Sequence, residues 1–169
     1  MAKRLPLLVL ILLLALAAMH ISYFASRLPP TVASHFNGAG TANGWMSRES
    51  FLLTYGILMV VLTTPFLLLG PLLKIVPDRF VNLPNKAHWL HPSRRAQTHD
   101  YLQQWALWFC NVTVGFHIFT MHQAIRTNLE PVQRLSSASW TSFIVFLCFL
   151  VAMITALLVR FRKPRPFPA

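Results

Sequence analysis

Apolar positions along this chain do not alternate with polar ones. They gather into four long runs, 5–26, 51–73, 101–125 and 135–159, none of which contains Asp, Glu, Lys or Arg. A hydrocarbon core of roughly 30 Å needs about 20 helical residues at about 1.5 Å each, and every run exceeds that length. An isolated strand would leave its amides unsatisfied in lipid, so the runs are expected to be helices. The expected fold is all-α and integral to a membrane, one domain over 1–169, with four transmembrane helices near 5–26, 51–73, 101–125 and 138–160. The last start is set by Trp140, an interfacial residue that follows the polar Ser136, Ser137 and Ser139. Pro65, Gly70 and Pro71 predict a kink in the second span. Ala18, Ser22 and Ser26, and likewise Ala152 and Ala156, have the small-xxx-small spacing of close helix packing.

Charge sets the orientation. Only 11% of residues are charged, against about a quarter in a soluble domain. Arg27, Arg48, Arg126 and Arg134 lie between spans one and two or three and four. The other Lys and Arg lie at the N-terminus, in the second loop (Lys74, Arg79, Lys86, Arg94, Arg95) and after span four. The positive-inside rule then puts both termini and the second loop in the cytoplasm. The net charge of +11 is thereby explained without nucleic acid, for which no stacking platform is present, and membrane lipids are the first expected partners. The first run is long for a signal peptide and lacks a clean small-x-small site after Ala18, so it is read as a retained span. The basic, proline-rich tail 163–169 is read as a topology anchor.

Loop one holds the most distinctive stretch: Leu28-Pro29-Pro30-Thr31-Val32-Ala33-Ser34-His35-Phe36-Asn37-Gly38-Ala39-Gly40-Thr41-Ala42-Asn43-Gly44-Trp45. Its Asn-Gly pairs and extra glycine suggest tight turns with positive φ. Phe36 and Trp45 are interface anchors, Ser47 can cap the second span, and Glu49 suits its N-terminal dipole. The loop is therefore expected to be an ordered outer cap, with His35 and Asn37 best suited to ligand or metal chemistry. In loop two, His88, His91 and His99 are candidate zinc ligands, although Pro92 interrupts them, and Asn82 and Asn85 flank a turn at Pro84 beside an interfacial Trp89. Inside the membrane, His20 and His117 are at similar depth counted from the starts of their runs, as bis-histidine haem ligation would need, with His122 a competitor.

Catalysis finds no support. The four carboxylates, Glu49, Asp78, Asp100 and Glu130, are scattered, and none lies in a run. Phosphate loop, nucleophile elbow and zincin helix are all missing from the sequence. Cys110 and Cys148 lie inside runs and read as packing residues.

The string L-P-x-x-V-x-x-H-F-N-x-x-G-x-x-N-G-W over residues 28–45 resembles the N-terminal domain of unknown function 1648 of SdpI-type immunity proteins. Loop two, with Asn82, Pro84, Asn85 and Trp89, is similar to a segment of stand-alone members, so the resemblance spans about the first 100 residues. That family contains bacterial integral membrane proteins, some implicated in resistance to a secreted toxic peptide and in signalling to a repressor. Its pattern often has Asp where this chain has Asn43, which removes a charge. Full immunity proteins are longer, with further spans. The resemblance implies a multi-pass protein of the bacterial inner membrane that binds, senses or confers immunity. Its outer-loop ligand site would be His35, Phe36, Asn37, Gly40, Asn43 and Trp45, and its ligand an extracytoplasmic peptide or lipid. Loop two would then meet a membrane or cytoplasmic protein partner. No cofactor is expected on this reading. The alternatives are a haem or metal protein using His20 and His117, or His88, His91 and His99, and a structural subunit of a larger membrane complex.

Overall fold

The structure, a computed structural model, describes residues 4–162; Lys3 and the tail 163–169, assigned above to topology, lie outside the described residues. The chain folds in the order α1 (Leu5–Phe24), β1 (Thr31–Phe36), β2 (Ala42–Ser47), α2 (Arg48–Ile75), α3 (Lys86–Trp89), α4 (Arg95–Leu129) and α5 (Ser137–Arg162), with a 3₁₀ turn at Asp78–Phe80. Each uncharged run thus lies largely in one long helix. Ser47 caps α2 by accepting the Ser50 amide at 3.1 Å, with Glu49 in the first turn. The helix continues through Pro65 and Pro71.

Three helices, α1, α2 and α5, are long and apolar enough to cross a membrane. Helix α4, expected as a span from its uncharged stretch, is not among them. At about 1.5 Å per residue its 35 residues reach roughly 50 Å, but Gln103, Gln104, Asn111, His117, His122 and Gln123 dilute its hydropathy. The physical reason lies in its position. It is the central helix, with α1 and α2 packed on it, and its Leu107, Cys110, Val114 and Ile118 are buried with Leu10, Ala17, Tyr55 and Met59. A helix wrapped by others can carry polar side chains that a lipid-facing one cannot.

The chain is predominantly helical, and loop one adds to it a short two-stranded hairpin. Strands β1 and β2 pair antiparallel from Thr31↔Ser47 to Phe36↔Ala42, with irregularities on either side of His35. Leu28, Val32, Phe51 and Ile125 form a small core where this hairpin meets α2 and α4. The opposite end of the molecule is closed by Leu73, Trp89, Leu102 and Phe161.

The small-residue stripes are also corrected. Ala18, Ser22, Ser26, Ala152 and Ala156 are all exposed, whereas α1 buries Leu10 and Ala17 and α5 buries only Phe161. The contact of α1 is made instead by Leu10 and Ala17, which pack with Tyr55, Met59, Leu107, Cys110 and Val114. Cys110 is buried against the Leu62 carbonyl and Cys148 is exposed; both are free thiols.

Candidate functional site

The hairpin is held from outside itself. The Asn128 carboxamide, buried near the end of α4, accepts the Ala33 amide at 2.7 Å and donates to the Ala33 carbonyl at 2.9 Å. A carboxamide with one donor and one acceptor edge is the side chain that can satisfy both backbone groups at once. Gln133 continues the clasp: its carbonyl accepts the Ala42 amide, its Nε2 donates to Asn128 Oδ1, and its Oε1 accepts Trp45 Nε1 at 3.0 Å. Leu135 donates its amide to the Gly40 carbonyl, and Arg134 Nε donates to the Ala39 carbonyl. The loop between α4 and α5 therefore forms one side of the hairpin seat.

Within the hairpin the expected ligand residues divide by role. Asn37 Oδ1 accepts the amides of Ala39 and Thr41, both at 3.0 Å, which makes Asn37 an internal turn strut. His35 Nδ1 and Asn43 Oδ1 meet at 2.6 Å across the strands. Since a carboxamide oxygen only accepts, Nδ1 is the donor of this pair. His35, Asn43 and Trp45 are exposed and Phe36 is half-buried. Only one glycine takes the positive φ expected of several: Gly40, at +79°. A Cβ there would stand 2.8 Å from the Leu135 carbonyl oxygen, so glycine is required twice over. Gly44 lies inside β2, where its bare backbone leaves room for the His35 side chain, 3.0 Å from where a Cβ would sit.

A second polar cluster lies below, among α1, α2 and α4. His20 Nε2 and His122 Nδ1 are 3.1 Å apart. Tyr55, fully buried, sets its ring 5.8 Å from that of His20 and 5.5 Å from that of His117. His20 Nδ1, Tyr55 Oη and His117 Nε2 are buried and have no hydrogen-bond partner among the described residues. Equal depth of His20 and His117 is thus corrected: His20 pairs with His122. The reason is the offset of the two helices, because Asn111 Nδ2 donates to the Pro6 carbonyl at 2.9 Å, which sets the start of α1 beside the middle of α4.

The Tyr55 ring is thus a close neighbour of both His20 and His117, and His20 Nε2 is engaged with His122. Among the described residues no three His, Cys, Asp or Glu side chains gather as a metal site. In loop two, His88 Nε2 accepts from Arg94 Nη1 at 2.7 Å, and His91 Nδ1 meets Ser93 Oγ at 2.9 Å. Loss of hydration, then the positive charge of Arg94 and His91, holds His88 below the ordinary imidazole range.

The remaining loop-two residues join α5 to the bundle. Asn85, in the left-handed region at φ 52°, donates to the carbonyls of Phe161 and Arg162, and Trp89 Nε1 donates to the Phe161 carbonyl at 2.9 Å. Thr98 Oγ1 on α4 donates to the Trp89 carbonyl. Asn82 is exposed and Pro84 half-buried. Sequence reasoning missed Asn128, Gln133 and Tyr55. The available signal for Asn128 was a carboxamide just past the end of a long uncharged run, one turn beyond Ile125.

Residues 10–59, from within α1 through the hairpin into α2, match the family described as Domain of unknown function (DUF1648). No curated protein and no solved structure matches the chain.

Proposed function

We propose that the chain is a four-span protein of the bacterial inner membrane, with both termini cytoplasmic. On this reading it acts as a binding, sensing or immunity-type module of the SdpI-like kind rather than as an enzyme. Helix α4 is the fourth span, tolerated in lipid because α1 and α2 cover its polar face. The hairpin faces the extracytoplasmic side, where His35 and Trp45 engage a peptide or a lipid headgroup.

One observation carries this reading. The hairpin backbone is fastened to α4 through Asn128 while His35 and Trp45 stand exposed. Ligand contact there bears on α4, whose other end touches loop two through Thr98. That is the physical connection a sensor between two faces needs. Asn37 enters the site as its turn strut, and loop two meets the protein partner.

The test is protection of cells against a membrane-active toxic peptide from competing bacteria. Wild type is expected to protect, and His35→Ala to lose protection at unchanged membrane levels. Equal protection by the two overturns the reading. A second reading, a subunit of a larger membrane complex, is favoured by the exposed small-residue stripes of α1 and α5.

A further inference from the structure

At the end of the molecule opposite the hairpin, a cavity of about 80 Å³ opens between α3, the start of α4 and the end of α5. The buried Trp89 and Phe161 line it together with Arg94, Gln97, Tyr101 and Arg160. At about 30 Å³ per water it has room for two or three waters or one small tetrahedral anion. Among the described residues no Asp or Glu lines it, and its charged side chains are Arg94 and Arg160.

The Arg160 guanidinium lies over the Tyr101 ring, 3.9 Å from the centroid, which fixes the plane of the fork. Its Nε is buried and, among the described residues, has no hydrogen-bond partner. The nearby carbonyls of Phe161 and Arg162 accept from Asn85 and Trp89. An oriented, partly desolvated guanidinium with an unused N–H is a ready donor to an oxyanion. Position narrows the chemistry further. Arg160 directly follows the uncharged run of α5 and Tyr101 begins that of α4, so the cavity stands where apolar helix surface gives way to charged chain. Phosphodiester groups of phospholipids occupy that level of a bilayer.

We propose that this cavity is a phosphate-oxyanion site, occupied by the headgroup phosphate of an anionic phospholipid, with Arg160 as the principal ligand and Arg94, Gln97 and Tyr101 around it. The site is independent of the hairpin and of whatever binds there.

Native mass spectrometry of the full chain in mild detergent tests it, with phosphatidylglycerol or phosphatidylcholine added. Wild type is expected to retain phosphatidylglycerol at least about tenfold more tightly, and Arg160→Gln to lose about tenfold of that binding, in line with one charge-assisted contact. Arg162→Gln removes the same charge from an exposed neighbour and is expected to stay within about twofold. Arg160→Lys keeps the charge without the fork, so it reads out the site even if the glutamine variant fails to fold, and intermediate loss is expected. Displacement of phosphatidylglycerol by millimolar inorganic phosphate would assign the oxyanion to the aqueous phase, and its retention to the lipid. Equal weakening by Arg160→Gln and Arg162→Gln, no loss in Arg160→Lys, or equal retention of the two lipids overturns the proposal.

Discussion

Asn128 is the polar side chain that ties β1 to α4. It closes both backbone groups of Ala33 and also donates to the Ala124 carbonyl of its own helix. Replacing it with Ala leaves a buried amide and a buried carbonyl unpaired, each costing about 1–3 kcal/mol. Asn128→Ala is therefore expected to release the hairpin while leaving the helices intact. Hydrogen exchange of the Ala33 amide in detergent checks this: exchange should rise at least about tenfold, and unchanged protection would refute the clasp. Such a residue is hard to read in advance. Nothing in the string around Asn128 reveals a partner 95 positions away, whereas local roles such as the Ser47 cap depend on spacing alone and were legible. Asn37 shows the intermediate case. Its neighbourhood was legible as a turn, but which side chains faced outward for a ligand depended on the pairing register, which irregularities around His35 displaced.

Elements were legible where run length governs and obscured where packing governs. The lengths of α1, α2 and α5 follow from uncharged stretches, because lipid imposes a minimum span. The hairpin escaped notice because its strands are short and rich in Asn, Gly and Ser, with the two consecutive residues Val32 and Ala33 both buried, so period-two alternation is broken. Helix-face assignment from small residues failed for a related reason: that spacing marks where close approach is allowed, not where it occurs. The outward stripes of α1 and α5 now give the subunit reading its own test. Extracted in mild detergent, wild type is expected to elute with a stoichiometric membrane partner or second copy, and Ser22→Leu to elute without it. Identical elution of the two proteins would remove the stripe from consideration.

For the whole molecule, orientation is the property on which the functional readings depend. In a background with Cys110 and Cys148 replaced by Ala, a cysteine at Gly38, at the open hairpin tip, should react in intact cells with a membrane-impermeant maleimide. One at Asn82, exposed in loop two, should react only after permeabilisation. Reaction of both from outside would exclude the four-span arrangement. The Asn128 clasp bears, finally, on how portable the matched segment is. Residues 10–59 include Ala33 but not the carboxamide that completes it. Moved into another chain, the segment would carry its sequence signature intact yet bring two bare peptide groups with it. It can settle only where its host offers a helix with a carboxamide at the same height, so the inheritable unit is larger than the recognisable one.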